Sequence, residues 1–441
     1  MMNDYSNHSE AHDSEIVVGL DIGTTKIACF VGRQNAHKKI EVLGYGSSTS
    51  EGVHRGVVAN IDKTVQSIRK AVEEAERMSG YDIEVVNVGI AGQHIESLQQ
   101  RGGITRDDLE TEISNEDIQT IIEDMRRLVM QPGEEILHII PQEFTVDKEQ
   151  GIKEPVGMSG VRLEANCHVI TGQVAAIRNI LRCIQRAQLQ IDQLILEPLA
   201  SSASVLSEEE LEAGVALVDI GGGTTDIAIF QDGIIRHTAV IPFGGNVITE
   251  DIRKGCQIMK KQAEQLKKRF GSAIAMEMRE NDIVCIPGLS GREPKEISLR
   301  NLAGIIEARI SEIIEHVQYE IQSSGFADQL IGGVVITGGG AQLNHITQLF
   351  QYITALECRV GYPNEYLADA PADEMVSPSF ATGVGLVIKG YDRMSPKSAH
   401  LLKQEDEREA TPEIDENDVK TNYTQNVFNS IMSFFTHDDV D

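Results

Sequence analysis

The sequence has 441 residues, a formal net charge of −29 and a hydrophobic fraction of 41%. This length predicts several domains, and the acidic charge together with an aromatic content of 5% disfavours binding to nucleic acid. No apolar run reaches the roughly 18 residues of a membrane-spanning helix.

The N-terminal residues 1–14 are polar and are predicted to be disordered. They lack the basic and apolar regions of a signal peptide, so we expect a cytoplasmic location. From Ile16 onward, apolar segments separated by short glycine-containing turns predict a meander of β-hairpins. A helix is predicted next, with Asp62 as its N-cap and Gly80 at its end.

Residues 95–171 differ in pattern from the segments on either side. A strand, the helix NEDIQTIIEDMRRLV and two long strand candidates predict a strand-helix-strand-strand subdomain inserted into the first domain. Residues 246–325 are predicted to be mostly helical, including one helix from Cys256 to Gly271.

Two stretches far apart in the chain, GLDIGTTKIA and LVDIGGGTTDIAIF, share one pattern. In each, an apolar strand ends at an aspartate, Asp21 or Asp219, and a turn of glycine and threonine leads into the next strand. Such turns let a ligand approach the main chain and offer free N–H groups to an anion. Two facing turns would hold a polyphosphate, and Mg²⁺ would neutralise the aspartates. The alternative is that each turn is only a tight hairpin.

Neither turn is a P-loop or a Rossmann turn, because both are predicted to join strand to strand. A third glycine-rich turn, Thr337 to Ala341, follows an apolar strand and precedes a helix predicted to begin at Leu343. The free amides of a helix N-terminus suit the sugar or phosphate edge of a nucleotide.

These three motifs together resemble those of the actin/Hsp70/sugar-kinase ATPase superfamily. The resemblance implies an α/β, actin-like ATPase fold with two related halves around a nucleotide cleft. The segments LILEPLASSASVL and FATGVGLVIKG resemble the two connecting helices of that superfamily.

Within the superfamily, the sequence is most similar to the FtsA family of bacterial cell-division proteins. The insertion resembles the 1C subdomain of that family, IIEARISEII resembles its 2B helix, and a polar linker before an apolar segment resembles its membrane-targeting tail. The implied domains are 1A over residues 15–94 and 172–205, 1C over 95–171, 2A over 206–245 and 326–391, 2B over 246–325, a linker over 392–420 and an amphipathic membrane-targeting helix over 421–441.

The resemblance implies ATP and Mg²⁺ as ligands, with Asp21 and Asp219 organising Mg²⁺ through water. Glu197 corresponds to the residue that orients the attacking water. The alternative interpretation is a solvated glutamate that is favoured at the start of a helix. The remaining residues implied to hold the phosphates and the nucleoside are Gly23, Thr24, Thr25, Lys26, Gly221, Gly222, Gly223, Thr224, Thr225, Gly338, Gly339 and Gly340.

Two groups of charged residues have roles implied only by the resemblance. Glu264 and Lys267 would reach the ribose and Lys268 the adenine, and the alternative is a solvated helix face. Arg300 and Arg309 lie near the surface that, in the family, binds the C-terminal peptide of FtsZ. Their alternative is that they are ordinary helix charges.

The C-terminal segment carries apolar residues at helical spacing. Its helix would lie in the membrane interface, cap a groove on the protein itself, or remain disordered. No Lys or Arg occurs between Thr421 and Asp441, so membrane insertion would rest on apolar burial, strengthened by avidity in a polymer. The apolar face is formed by Val427, Phe428, Ile431, Met432 and Phe435.

The implied function is that of an ATP-binding division protein, peripheral on the cytoplasmic face of the cell membrane, that polymerises, tethers FtsZ filaments and recruits later division proteins through 1C. At most weak ATP hydrolysis is expected. One alternative is a pilus-assembly-type actin-like scaffold, which should lack the apolar tail. A sugar-kinase-like phosphotransferase would need a substrate pocket with an aspartate base, and a chaperone of the Hsp70 type would need a larger C-terminal domain.

Overall fold

The computed structural model describes residues 16–106, 111–288, 293–368 and 375–394. The predicted disordered N-terminus and the predicted tail helix lie outside the described residues. The linker predicted over residues 392–420 begins too early, because residues 392–394 belong to the last described helix, and the rest of it lies outside the described residues. None of the helices in the described part of the chain is long and apolar enough to cross a membrane.

The first lobe begins with the predicted meander, followed by a helix. Asn60 rather than Asp62 is the N-cap of this helix, because the Asn60 side chain accepts the backbone N–H of Lys63 at 3.0 Å. Gly80 ends the helix in the left-handed conformation, as predicted. The elements are β1 (Ile16–Ile22), β2 (Lys26–Gln34), β3 (Ile40–Thr49), β4 (Val53–His54), β5 (Val57–Val58), α1 (Ile61–Ser79) and β6 (Val85–Ile90).

The insertion follows as a separate antiparallel sheet with one helix packed on it. Its strand order is β7-β10-β8-β9, and its core is distinct from those of the two lobes. The predicted strand-helix-strand-strand order is confirmed, with one additional short strand, β9. The elements are β7 (Ile95–Thr105), α2 (Asn115–Arg126), β8 (Glu134–Val146), β9 (Glu149–Ile152) and β10 (Arg162–Gln173).

The chain then completes the sheet of the first lobe. The five strands lie in the order β11-β6-β1-β2-β3, with β6 parallel to both β1 and β11. The elements that return to the first lobe are α3 (Val174–Arg186), β11 (Gln190–Leu196) and α4 (Glu197–Val205).

The second lobe repeats this sheet. Its order is β14-β13-β12-β17-β18, again with two antiparallel and two parallel pairings. The prediction of two related halves is therefore confirmed. The elements are α5 (Glu208–Ala213), β12 (Val215–Ile220), β13 (Thr225–Gln231), β14 (Ile234–Ile241), α6 (Gly245–Cys256), α7 (Lys260–Phe270), β15 (Ile283–Ile286), β16 (Lys295–Ser298), α8 (Leu299–Ser323), β17 (Val334–Thr337), α9 (Ile346–Thr354), β18 (Cys358–Val360) and α10 (Ala381–Met394).

Two helix boundaries in the second lobe differ from the prediction. The helix predicted from Cys256 is interrupted, because Gln257 takes a left-handed conformation with φ 49° and α7 begins only at Lys260. The helix predicted from Leu343 begins at Ile346, and a single 3₁₀ turn over Gly339–Gln342, which includes two of the glycines, precedes it.

The two predicted connecting helices, α4 and α10, cross at very close range between the lobes. A Cβ atom at Gly385 would lie 1.8 Å from the carbonyl oxygen of Ala200, so only glycine permits this crossing. The Ser204 hydroxyl donates to the carbonyl oxygen of Ala381 at 2.8 Å. This contact joins the C-terminal end of α4 to the first residue of α10.

Candidate nucleotide-binding site

A cavity of about 490 Å³ lies between the two lobes. Glu197 and every predicted nucleotide-binding residue except Thr225 line this cavity. Thr225 is fully buried, and its hydroxyl donates to the carbonyl oxygen of Phe243 at 2.8 Å. Successive side chains of a strand point to opposite faces, so Thr224 and Asp226 reach the cavity while Thr225 does not. The predicted role of Thr225 in ligand contact is therefore wrong.

The two phosphate turns have matching registers. Asp21 pairs with Ala28 across the first hairpin, and Asp219 pairs with Asp226 across the second. In each hairpin one further residue pair, Ile22 with Ile27 or Ile220 with Thr225, separates the aspartate from the turn. The prediction that both turns join strand to strand is confirmed.

The tips of the two turns touch one another. A Cβ atom at Gly222 would lie 2.3 Å from the side chain of Thr25, and one at Gly223 would lie 2.6 Å from the hydroxyl of Thr24. These positions leave no room for a side chain, so the glycines bring the two lobes together at the place where a polyphosphate would lie.

Lys26 is positioned by two residues that lie far from it in the sequence, Ser379 and Phe380. Its ammonium donates to the carbonyl oxygen of Ser379 at 2.7 Å and lies 3.3 Å from the centre of the Phe380 ring. Burial lowers the pKa of Lys26 to about 8, while the charges of Asp21 and Asp219 oppose this shift. The side chain is therefore a positioned cation that releases its proton more readily than an exposed lysine.

The two aspartates of the turns are buried among polar groups. Burial raises the pKa of Asp21 to about 6, against the Lys26 ammonium and together with the charge of Asp219. Burial also raises the pKa of Asp219, although the hydroxyls of Ser201 and Thr382 donate to its Oδ2 at 3.1 and 3.4 Å. Negative charge is unfavourable at both carboxylates unless a further cation is present.

Two more carboxyl groups complete this cluster. Glu197 is the first residue of α4, and burial followed by the charges of Asp21, Asp226 and Asp219 raises its pKa well above the ordinary value. Burial and the charge of Asp219 raise the pKa of Asp226 to about 7, against a hydrogen bond that Thr224 donates at 2.9 Å. Both carboxyl groups therefore hold protons more strongly than exposed ones.

On the side of the cavity predicted to hold the nucleoside, Lys267 and Glu264 form an ion pair. The Lys267 ammonium lies 2.8 Å from a carboxylate oxygen of Glu264 and donates to the Gly245 carbonyl and the Thr249 hydroxyl, each at 2.8 Å. Burial raises the pKa of Glu264, but Lys267 and Thr249 outweigh it and hold this pKa below its usual value. Lys268 is exposed at the rim, 3.8 Å from Glu264.

The third glycine turn passes directly over Asp219. Gly338 has φ 81°, and a Cβ atom there would lie 2.2 Å from Oδ1 of Asp219. Gly339 also lines the cavity, and a Cβ atom there would have no atom within 4 Å. Because α9 begins only at Ile346, the wall here is the 3₁₀ turn rather than a helix N-terminus.

Sequence reasoning missed several residues of the cavity. Asp226 is the last residue of the second motif, but its significance depends on its pairing with Asp219 across the hairpin. Several of the other missed residues come from the starts of α6 and α10 and from the turn before α10, which were not recognised as part of the phosphate motifs. They include Gly245, Asn246, Ser379 and Thr382.

The carboxylate cluster suits Mg²⁺ bound through water. Among the described residues, no group of three or more His, Cys, Asp and Glu side chains is arranged to hold a metal ion directly. Four carboxyl groups with raised pKa values nevertheless line this part of the cavity, and the Lys26 ammonium acts on only two of them, Asp21 and Asp219, so one ammonium does not balance the cluster. Mg²⁺ usually keeps several waters and binds substrate phosphates, which fits this arrangement.

The two arginines predicted to contact a peptide lie elsewhere. Arg300 and Arg309 line a separate open groove of about 820 Å³ along α8. Arg309 is paired with Asp251 at 2.6 Å and with Glu312, whereas Arg300 lies 3.5 Å from Glu280 alone. Arg300 is therefore the arginine with fewer acidic partners in this groove.

Family models match two parts of the chain. The model for "Cell division protein FtsA" matches residues 216–385, and the model for "SHS2 domain inserted in FTSA" matches residues 92–171. The second range overlaps the insertion predicted over residues 95–171.

Curated relatives cover most of the chain. Cell division protein FtsA of Pseudomonas aeruginosa is 41% identical over 387 residues, which are 88% of this chain and 92% of the relative. The same protein of Escherichia coli is 36% identical over 89% of this chain and 93% of the relative. That of Bacillus subtilis is 38% identical over 85% and 83%.

Solved structures share the fold at low sequence identity. The PilM-PilN type IV pilus biogenesis complex matches with a TM-score of 0.61 at 16% identity, covering 85% of this chain and 98% of that chain. MreB5 of Spiroplasma citri bound to AMPPNP matches with a TM-score of 0.51 at 16% identity, covering 88% and 98%. These matches confirm the predicted actin-like ATPase fold.

Proposed function

The chain belongs to the FtsA family of cell-division proteins, and from this membership we propose that it binds ATP and Mg²⁺ between its lobes, polymerises, and tethers FtsZ filaments to the cell membrane. It is an actin-like cell-division protein. The observation that carries the proposal is the match of up to 41% identity over most of the chain to such proteins. A pilus-type scaffold, the alternative, is supported only by a shared fold at 16% identity.

The cavity supports ATP as the nucleotide. The two touching turns present main-chain N–H groups and threonine hydroxyls on both sides of one space, which suits a triphosphate. Asp21 and Asp219 would hold Mg²⁺ through water, and the ion would neutralise phosphate and carboxylate charge. Lys26, which lines the cavity, would contact phosphate oxygens, and Glu264, which is paired with Lys267, would reach the ribose.

Weak hydrolysis follows from the state of Glu197. Burial and the charges of Asp21, Asp226 and Asp219 raise the pKa of Glu197, so it holds a proton more strongly than an exposed glutamate, and in the protonated form it cannot accept a proton from water. We expect phosphate release to be slow and to increase with pH as Glu197 ionises. Glu197→Gln should remove this increase while ATP affinity changes only a few-fold, measured by phosphate release and by nucleotide titration. A variant that keeps the wild-type rate and pH profile would exclude Glu197 as the water-orienting group.

Membrane attachment is proposed to depend on the C-terminal segment after Lys420. Its apolar face includes Phe428 and Phe435, and no Lys or Arg accompanies it. One such helix binds weakly, so a polymer carrying many copies would bind far more strongly. We therefore expect the full chain to co-sediment with liposomes more strongly with ATP than without it.

The matched control is the same chain truncated after Lys420. We expect this variant to bind ATP like the full chain and to remain in the supernatant with liposomes. Equal co-sedimentation of the truncated chain would show that the tail is not the anchor. Equal co-sedimentation of the full chain with and without ATP would separate membrane binding from nucleotide-dependent assembly.

The groove along α8 is the proposed site for the acidic FtsZ peptide. Because Arg309 is already paired with two acidic side chains, its charge is less available than that of Arg300. We expect Arg300→Glu to weaken peptide binding about tenfold and Arg309→Ala to weaken it less, measured by fluorescence anisotropy with a labelled peptide. A larger effect at Arg309 would reverse this assignment.

Recruitment of later division proteins is proposed for the inserted subdomain, as the family resemblance implies.

A further inference from the structure

The inserted subdomain contacts both lobes of the molecule. It is connected to the first lobe at both ends, because the chain enters it after β6 and leaves it into α3. Its side chains Leu137, Ile140 and Ile170 are buried in one cluster with apolar residues of that lobe, such as Val88. On its other side the insertion meets β14, which is an edge strand of the second sheet. The insertion is therefore a second connection between the lobes, beside the crossing of α4 and α10.

Side chains of the insertion form hydrogen bonds along the outer edge of β14. The Ser97 hydroxyl donates to the carbonyl oxygen of Thr238 at 3.0 Å. The Gln99 amide donates to the carbonyl oxygen of Arg236 at 3.2 Å, and Nε2 of His168 lies 2.9 Å from the Thr238 hydroxyl. Ser97 and Gln99 are two positions apart on β7, so their side chains lie on the same face of that strand. The contact therefore extends along both strands.

Gln142 makes the shortest of these hydrogen bonds, at a place where two strands are irregular. Its amide donates to the carbonyl oxygens of Ile235 at 2.7 Å and Arg236 at 3.1 Å. Gln142 is skipped in the pairing of β8 with β10, and Arg236 is skipped in the pairing of β14 with β13, so each residue lies at a β-bulge. A bulge turns side chains and carbonyl groups out of the regular pattern of a strand. The two bulges together bring one buried amide to two neighbouring carbonyl groups.

The contact between the insertion and β14 also contains an exposed ion pair and a cavity. The Lys153 ammonium lies 3.2 Å from a carboxylate oxygen of Asp232, and both side chains are more than one-third exposed. A cavity of about 320 Å³ is lined by the start of β7 and the second half of β14. Exchanging a hydrogen bond for one with water costs about 1 kcal/mol net, and the cavity reduces the apolar area that separation would expose. The insertion can therefore separate from β14 more easily than from the first lobe.

The end of β14 is connected to the phosphate turn of the second lobe. The chain passes from β14 into the start of α6. There the N–H of Gly245 donates to the carbonyl oxygen of Gly221 at 2.9 Å, and the N–H of Asn246 donates to that of Gly222 at 2.8 Å. A displacement of the second phosphate turn would therefore displace the strand to which the insertion is bound.

The start of the insertion is connected to the phosphate turn of the first lobe. The Thr24 hydroxyl accepts the N–H of Gly56 at 3.1 Å. A Cβ atom at Gly56 would lie 2.5 Å from the carbonyl oxygen of Ala91, which directly follows β6 and precedes the insertion. Contiguous hydrogen bonds and close contacts of this kind carry coupling between distant sites. Both phosphate turns are therefore linked to the contact between the insertion and β14.

We propose that the inserted subdomain is a latch between the lobes, closed on β14 when the two phosphate turns touch and released from β14 when they separate. This inference rests on the proposed binding of ATP between the lobes. ATP with Mg²⁺ holds the turns together and so closes the latch, and by reciprocity a closed latch raises the affinity for ATP. The latch residues are Ser97, Gln99, Gln142, Lys153 and His168.

Carbodiimide cross-linking of the ion pair measures whether the latch is closed. The reagent joins an ammonium directly to a carboxylate, so an amide forms between Lys153 and Asp232 only while the two groups are in contact. With the full chain, we expect saturating ATP and Mg²⁺ to raise the yield of this cross-link about twofold or more in the monomer band, measured by mass spectrometry. The internal control is the pair of Lys389 and Asp392, 2.9 Å apart within α10, whose yield should stay constant.

Variants test the reciprocal effect of the latch on nucleotide binding. Gln142→Leu keeps a side chain of similar size and removes the donor to β14, so we expect ATP affinity in a nucleotide titration to fall about fivefold, together with the cross-link yield. Gln150→Leu, at an exposed position of β9, should change neither quantity. Thermal melting checks that the variants are folded, and Ser97→Ala carries the test if Gln142→Leu is unfolded. A folded latch variant with wild-type affinity for ATP would overturn the proposal.

The wild-type protein separates a failure of the latch from a failure of the proposed function. If the wild-type chain binds ATP but the yield of the Lys153–Asp232 cross-link does not change, the latch alone is wrong. If the wild-type chain does not bind ATP, the proposed function is wrong, and nucleotide control of the latch is wrong with it.

Discussion

Asp226→Asn is expected to stabilise the nucleotide-free protein by about 3 kcal/mol at pH 8 and by much less at pH 5. The cause is burial, which together with the charge of Asp219 raises the pKa of Asp226 from 3.8 to about 7. Between about pH 4 and about pH 7 the folded state binds more protons at this residue than the unfolded state does. The contribution of Asp226 to the free energy of unfolding therefore falls as pH rises through that window. An asparagine at this position does not ionise, so the variant does not lose this stability.

The measurement is urea unfolding of both proteins at the two pH values, without nucleotide. Asp124→Asn is the matched control, because Asp124 lies on the surface and pairs only with Arg127 at 3.2 Å. A surface pair contributes at most about 1 kcal/mol, so the control should change little at either pH. A gain for Asp226→Asn that is the same at pH 5 and pH 8 would contradict the raised pKa as its cause.

The same substitution is expected to weaken ATP binding in the presence of Mg²⁺. The carboxylate cluster destabilises the empty cleft because it lacks positive charge, and ATP-bound Mg²⁺ would provide that charge. Stability and ligand affinity should therefore change in opposite directions, as is common where a site is strained for function. A gain in stability together with a loss of ATP affinity would show that the Asp226 carboxylate serves ligand binding. A gain in stability with unchanged ATP affinity would show that it does not.

The fold was predictable from sequence because its main signal is local and occurs twice. Each aspartate-glycine-threonine turn is flanked by its own two strands, so the hairpin register follows from a few consecutive residues. The insertion was also predictable, since its strands and helix alternate over a short segment. The break at Gln257 was not, because the residues on both sides have helical periodicity and only the backbone shows the left-handed conformation.

The cavity was predictable where its residues belong to these motifs. It was not predictable where distant segments meet, as at the contact between Lys26 and Ser379, which are 353 positions apart. Thr225 was misassigned because the motif was read as a continuous loop, whereas strand alternation begins at that residue. The importance of Asp226 could not be recognised from its place in the motif, because it depends on the pairing of Asp226 with Asp219 across the hairpin.

Gly338→Ala is expected to destabilise the protein by about 3 kcal/mol or more, whereas Gly339→Ala should change stability by less than about 0.5 kcal/mol. Gly338 has φ 81°, and a Cβ atom there would lie 2.2 Å from Oδ1 of Asp219 and 2.7 Å from the Ile220 carbonyl oxygen. Asp219 cannot move away freely, because Ser201 holds its other oxygen at 3.1 Å. A Cβ atom at Gly339 meets nothing within 4 Å.

Gly338 and Gly339 allow two reasons for a glycine-rich turn to be tested separately, namely backbone conformation and room for a ligand. At Gly338 the backbone itself requires glycine, so urea unfolding without nucleotide should already show the loss. At Gly339 a methyl group would project into the cavity, so the loss should appear only in ATP titration. If Gly339→Ala bound ATP with wild-type affinity, the nucleotide would not lie along this turn. If Gly338→Ala kept wild-type stability, the close approach between Gly338 and Asp219 would not constrain the cleft.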